Sequence, residues 1–365
     1  MTVHAGTASR EAEVFARIEA FRRRAPRLRD DRVNLSHGAG GKSSAALLEA
    51  VFLPAFQQAD SPTEQGDAAV VHPPAGQRLA FSTDSYVVKP LRFPGGSIGD
   101  LAVNGTINDL AVAGADPLCL SVAFVLEEGL PIDVLRDVVA DMALAASLAG
   151  VPVVTGDTKV VDRGAADGLF VTTAGVGAIP DGRELGAAQV QVGDVVLVSG
   201  AIAEHGVAVM LARGDLAIEA DIRSDTAALH GLVATLLDAA PGTRWMRDAT
   251  RGGVGTVCNE LARAAEVAVV LDEADLPVSA RVAGACELLG IDPLYVANEG
   301  RFVAVVPPDE ADAAQAALRG HPLGCGAARI GEVRAEPAGI VVLVTAFGGT
   351  RIVDTLVGDP LPRIC

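Results

Sequence analysis

Residues 97–115, SIGDLAVNGTINDLAVAGA, decide how the rest of the chain is read. Ile98, Leu101, Ala102, Ile107, Leu110 and Ala111 recur at helical spacing, which predicts a helix with one face in a core. The same stretch carries Asn104 and Asp109. Outward from it, strand and helix patterns alternate. LAFSTD (79–84) reads as a strand ending on Asp84, and CLSVAFVLE (119–127) as another. IDVLRDVVADMALAASLAG (132–150) reads as a helix stopped by Gly150. VPVVTGD (151–157), closed by Asp157, and LFVTTAGVGAI (169–179) read as strands. Upstream, 10–24 has an amphipathic helical pattern and 45–58 that of a short helix.

The alternation breaks at PDGRELGAAQVQVG (180–193), and DVVLVSG opens a second set. Helices are expected at 203–212, 224–239, 253–265, 279–289 and 309–319. Strands are expected near 267–271, 301–306, 328–334 and 339–344. The reading is an α/β (α+β) protein of two domains, 33–182 and 183–347, with an extension at 1–32. GGTRIVDTLVGDPLPRIC, rich in glycine and proline, is expected to be a mobile tail at 348–365.

A chain of 365 residues that is 50% hydrophobic has ample material for two cores. Aromatics are only 4%, so those cores must be built from small and β-branched side chains. A net charge of -17 argues against nucleic acid and anionic membrane as partners. A phosphate ligand must then be held locally, by loops, cations or a few basic groups. No run is long and apolar enough for a transmembrane helix, and the start lacks a signal peptide's apolar core. The arginines at 22, 23, 24, 27 and 29 are read as a solvated surface. Five cysteines without a C-x-x-C pair make a disulfide framework or structural zinc site unexpected and favour a reduced, cytoplasmic setting.

Several stretches carry possible chemistry. LSHGAGGKS places Gly38, Gly40 and Gly41 before Lys42, so backbone amides can turn toward an anion. It is not a P-loop, which needs glycine where Ser36 stands. Asp84, Asp109, Asp157 and Asp248 are each explicable as caps or turn formers. Together in one cleft they would repel, and magnesium with ATP phosphates resolves that repulsion. DATRGGVGTVCNELA (248–262) leads a glycine pair into a helix, either as a plain glycine turn or as a phosphate site with Arg251 as a clamp. Glu299 in VANEGRFVAVV is expected in a turn before a strand. His205 is read as a capping or packing residue.

SHGAGGK, FSTDSYVV, GDLAVNGTINDLAVAGA, GDTKVV, DATRGG, NEG and the terminal PRIC occur in this order over residues 33–365. In this the chain resembles the HypE family of [NiFe]-hydrogenase maturation factors. It is also similar to the wider PurM-like superfamily of aminoimidazole ribonucleotide synthetase, selenophosphate synthetase and thiamine-monophosphate kinase. The resemblance implies a homodimer whose N-terminal domains pair into a β-barrel, with ATP in a cleft. It implies ATP contacts from Gly38, Gly40, Gly41, Lys42, Asp84, Asn104, Asp109, Asp157, Thr158 and Arg251. Magnesium ligands would be Asp84, Asp109, Asp157 and Asp248.

It further implies that Cys365 receives a carbamoyl group from HypF, that ATP drives its dehydration to a thiocyanate, and that a HypC–HypD complex accepts the cyanide. Lys159 and Glu299 would then be the proton-transfer groups. Lys159 would need burial or nearby cations to become neutral, whereas Glu299 would need no help. A small-molecule kinase or ligase of the superfamily, or a nucleotide-gated scaffold, are the alternatives.

Overall fold

The computed structural model describes residues 28–38, 42–56, 74, 76–214 and 220–355. The expected helix at 10–24, Gly40, Gly41 and Cys365 lie outside these residues. A 3-10 turn (Leu35–Gly38) precedes helix α1 (Lys42–Leu47), which continues through a π-helical turn (Leu48–Phe52) into Leu53–Phe56. The Lys42 side chain also lies outside the description.

The first unit follows as β1 (Arg78–Tyr86), a small hairpin of β2 (Arg92–Phe93) and β3 (Gly96–Ser97), α2 (Ile98–Val112), β4 (Asp116–Glu127), α3 (Ile132–Ala149), β5 (Val153–Val161) and β6 (Leu169–Ile179). Among the described residues β1, β6, β4 and β5 form one sheet in that order. The β4–β5 pair is parallel, as a helical crossover requires, and the other pairs are antiparallel. A capping box starts α2: Ser97 Oγ accepts from Gly99, and Asp100 accepts from the Ser97 amide. Gly150 ends α3 in the left-handed region, at φ 68°.

The second unit adds β7 (Val195–Val198), α4 (Glu204–Ala212), α5 (His230–Ala239), β8 (Trp245–Asp248), α6 (Gly253–Ala265), β9 (Ala268–Asp272), α7 (Ala280–Leu289), β10 (Phe302–Val306), α8 (Ala311–Gly320), β11 (Ala328–Arg334), β12 (Val341–Val344) and β13 (Thr350–Val353). Its sheet runs β13-β12-β9-β11-β7-β10-β8.

Helix α2 is buried nearly all round rather than along one face. It packs on α3, β1 and β6, and also on α5 and β8 of the second unit. Ala111 and Val112 at its end belong to the second unit's core, with Leu197, Leu229 and Phe302. The carboxylate and amides of α2 are therefore aimed into the junction between the two sheets.

Three expectations are corrected. Asp84 and Asp157 lie within strands rather than at their ends, because both strands continue through polar residues along a sheet with one uncovered face. The helix expected from 224 starts only at His230. The tail expected from 348 first makes β13, whose Thr350–Val353 pairs antiparallel with β12. Its TRIV pattern suffices for one edge strand, since Val353 is buried and Ile352 is 63% exposed.

Candidate functional site

The site is built where three sequence-distant elements meet α2. Strand β1 turns Ser82, Asp84 and Tyr86 toward that helix. Ser82 Oγ donates to Asp109 Oδ2 at 2.5 Å, and the Tyr86 hydroxyl donates to Asp84 Oδ2 at 2.9 Å. Asp248 ends β8, opposite Phe302 on β10. Glu299 sits just before β10, only 3% exposed, with Oε1 unpartnered.

The electrostatics tie these acids together. Burial, then the charge of Asp109, pushes Asp248 up to about 7. Burial raises Asp109 as well, with Asp84 adding to it and the Ser82 hydrogen bond opposing. Glu299 is held well above the usual carboxylate range by burial and then by Asp248, Asp225, Asp84 and Asp109. Burial and the neighbouring acids thus both oppose the ionised form of Glu299, surroundings that the sequence did not suggest.

Asn298 and Gly300 explain the NEG motif. Asn298 is fully buried; its Oδ1 accepts from the Ala203 amide at 2.7 Å and its Nδ2 donates to Ala249 O at 2.8 Å. It thereby ties the Glu299 turn to the DATRGG loop. At Gly300 a Cβ would lie 1.8 Å from Asp225 O, so only glycine fits. In that loop Gly252 and Gly253 take φ of 76° and 59°, and a Cβ on Gly253 would lie 2.5 Å from Leu294 O. Helix α6 starts there with no side-chain cap; the Gly253 amide donates to Thr250 O at 2.9 Å and the Thr256 amide to Gly252 O at 3.1 Å, which leaves those of Val254 and Gly255 as the candidates to meet a ligand. Arg251, on the same turn, is exposed.

Asp157, Thr158 and Lys159 stand apart. The Asp84 row of the sheet runs Thr173, Val122, Gly156, so β5 lies three strand spacings, about 14 Å, from β1. Asp157 and Lys159 project from the opposite face, the one on which Leu79 and Phe81 are 55% and 71% exposed. Lys159 Nζ lies 3.0 Å from Asp157 Oδ2, both side chains largely exposed. That hydrogen bond, with the Thr158 amide, lowers Asp157. The burial or cationic surroundings expected for Lys159 are absent among the described residues. The four aspartates thus do not share one cleft within a single chain: three do, and Glu299 joins them. No group of three His, Cys, Asp or Glu among the described residues converges as a metal cage. Asp84, Asp109 and Asp248 still suit a magnesium ion held by one or two carboxylates plus phosphates, because Arg247 offsets their like charges only in part.

Sequence reasoning missed Asp225 and Asn108. Asp225 accepts from the Glu299 amide at 3.0 Å, and Asn108 Nδ2 donates to Glu299 O at 3.1 Å. Asn108, on the same helix as Asp109, was the available signal; Asp225 lay within an expected helix and gave none. Asn104 Nδ2 donates to Thr226 Oγ1 at 3.1 Å, fixing this segment to α2. His205, expected as a packing residue, is buried, with Nδ1 2.8 Å from Ser224 Oγ and its ring edge-on to Phe93.

Two family patterns match this chain: AIR synthase related protein, N-terminal domain, over residues 65–179, and the corresponding C-terminal domain over 191–344. Carbamoyl dehydratase HypE of Rhodobacter capsulatus is 56% identical over 340 residues, 93% of this chain and 99% of that protein. The chain belongs to the HypE family. HypE of Escherichia coli K12 is 49% identical, covering 91% of this chain and 99% of its own. A crystal structure of HypE in complex with ATP superposes with a TM-score of 0.86 at 44% identity, over 91% of this chain and 99% of that one. HypE in a HypE–HypF complex gives a TM-score of 0.74 at 43% identity, over 85% of this chain and all of that one. Thiamine monophosphate kinase from Aquifex aeolicus, 18% identical with a TM-score of 0.56, shares the PurM-like fold. Like its HypE relatives, this chain is a two-unit α/β protein. Among its described residues no helix is long and apolar enough to cross a membrane.

Proposed function

We propose that this protein is an ATP-dependent carbamoyl dehydratase acting on a carbamoyl group carried by its own Cys365. The observation that carries the proposal is the buried carboxyl of Glu299, its Oε1 unpartnered, beside Asp248, Asp109 and Asp84.

In Cys365–S–C(=O)NH2 the carbonyl oxygen is a poor leaving group. Its attack on the γ-phosphorus of ATP expels ADP and makes that oxygen part of a phosphate ester. The first N–H proton is lost as the imidate forms. Loss of the second, with the electrons of the C–O bond leaving on phosphate, gives Cys365–S–C≡N, ADP and inorganic phosphate. The amides of Val254 and Gly255, with Arg251, orient the phosphates. Asp84, Asp109 and Asp248 would hold a magnesium ion, which would supply charge neutralisation at the phosphates. Glu299, buried beside these acids, is the group placed to accept the N–H proton. Gly38, Gly40, Gly41 and Lys42 complete the phosphate enclosure in this reading, with Asn104 and Thr158 as further nucleotide contacts.

The three buried thiols do not fit the role. Burial pushes Cys258 up to about 12 and Cys286 to about 11, and raises Cys119. The Sγ of Cys325 lies against the carbonyls of His321 and Pro322. In this reading Cys365 is the thiol that meets a carbamoyl donor, the ATP cleft and an acceptor in turn.

A second copy of the chain, covering the Leu79–Phe81 face of the first sheet, would also cover Asp157 and Lys159. We therefore assign those residues to a dimeric site. HypF as carbamoyl donor, HypC–HypD as acceptor and a cytoplasmic setting complete the assignment. The experiment is intact mass measurement of the full chain with HypF, carbamoyl phosphate, ATP and magnesium. One carbamoyl group should be gained and one water then lost, and Cys365→Ser should show neither. A carbamoyl mass that persists with ATP and magnesium present refutes the dehydratase.

A further inference from the structure

We infer that Asp225 and Asn108 are positioning residues that clamp the Glu299 peptide from both sides and so aim its carboxyl group. This rests on the reading of Glu299 as a proton acceptor.

The clamp is short and complete. The Glu299 amide donates to Asp225 Oδ1 at 3.0 Å. The Glu299 carbonyl accepts from Asn108 Nδ2 at 3.1 Å. The two clamping residues are held in turn. Asn108 Oδ1 accepts from the Leu229 amide at 2.7 Å, and its Nδ2 also donates to Ala227 O at 3.0 Å. Every hydrogen-bonding atom of that amide is therefore engaged with the segment 225–229 or with the Glu299 turn.

Asp225 has a wholly buried side chain whose Oδ2 lies 3.6 Å from Arg301 Nε. Arg301 is itself pinned: Nε donates to Ala201 O at 2.9 Å, Nη1 to Gly300 O at 2.7 Å, and Nη2 reaches Glu204 at 3.4 Å. Glycine at 300 lets the two backbones approach so closely that no Cβ fits between them.

A buried ion pair of this kind adds little net stability, since desolvation offsets most of the attraction. What it supplies here is direction. Three elements remote in sequence, α2, the 225–229 segment and the turn before β10, are locked in one polar joint; among the described residues Asp225 Oδ2 has only the Arg301 ion pair, and Glu299 Oε1 has no hydrogen-bond partner. Proton transfer is sensitive to such aim: a displacement of about 1 Å can cost about a hundredfold in rate.

The test compares Asp225→Asn, Asp225→Ala and Asn108→Asp in the full-length protein carbamoylated by HypF. Asparagine keeps an oxygen for the Glu299 amide; alanine does not. Asn108→Asp keeps the Leu229 acceptor but loses both donated bonds. Three quantities are read: the single-turnover rate of water loss by mass, the KM for ATP, and the melting temperature. Water loss should fall about thirtyfold or more in Asp225→Ala and Asn108→Asp and stay within about fivefold in Asp225→Asn, with the KM for ATP within about twofold throughout. If Asp225→Ala does not fold, Asp225→Asn and Asn108→Asp decide between themselves. The inference is overturned if Asn108→Asp and folded Asp225→Ala lose water at the parent rate. It is equally overturned if Asp225→Asn is as slow as Asn108→Asp, or if water loss, KM and melting temperature fail together. Absence of water loss in the parent chain would instead refute the dehydratase reading.

Discussion

The Tyr86 hydroxyl donates to Asp84 at 2.9 Å, directly over a helix position where a Cβ would stand 2.0 Å from it. That position is Gly105, in the middle of α2. Strand β1 can approach the helix closely enough to deliver Asp84 only because no side chain intervenes.

Gly105→Ala is therefore expected to destabilise the fold by about 1–3 kcal/mol, despite alanine's better helix propensity. Combining it with Tyr86→Phe, which removes the clashing oxygen, should recover part of that loss in urea unfolding. Equal or greater loss in the double variant would show that the close approach is not what glycine serves.

The acid cluster predicts a pH dependence without nucleotide. Asp248 is raised from 3.8 to about 7. The folded chain therefore holds a proton there that the unfolded chain releases near its ordinary value. Stability from this group is complete below that ordinary value and is lost as pH rises through about 7. Asp248→Asn cannot ionise, so relative to the parent it should gain about 1–3 kcal/mol between about pH 5 and about pH 8. Urea unfolding at both pH values checks this; a constant difference between the chains would mean that Asp248 is not raised.

Gly253 enters α6 at φ 59°, with Leu294 and Val296 carbonyls where a Cβ would go. Gly253→Ala should shift the loop and raise the KM for ATP about tenfold or more, with some loss of stability. An unchanged KM would remove this helix start from the nucleotide site.

Among the described residues Lys159 makes an exposed ion pair with Asp157. Lys159→Met should change stability by less than about 1 kcal/mol. Water loss from the carbamoylated chain should nevertheless fall about a hundredfold or more. Full activity would strike Lys159 from the mechanism.

The legible parts of this fold are those where one local pattern suffices. The periodicity at 97–115 marked α2, and glycines at 150 and 252–253 marked a helix end and a helix start. Trp245–Asp248 and Thr350–Val353 were not legible as strands, because each is a four-residue edge strand formed only by pairing with a distant neighbour. Residues 225–229 looked helical by composition, but their backbone is claimed by Asn108 from the other unit. At the site, Asp84, Asp109, Asp248 and Glu299 were recognisable individually. Their convergence depends on α2 lying between two sheets, which no local pattern states. The separation of Asp157 followed from strand order, equally invisible in the text of the chain.

The most direct measurement follows the oxygen. Full-length protein carbamoylated on Cys365 with oxygen-18 in the carbonyl is mixed with unlabelled ATP and magnesium and quenched within one turnover. The account predicts a chain lighter by one labelled water and the label in inorganic phosphate. Label that remains on the protein or emerges in solvent water would contradict it.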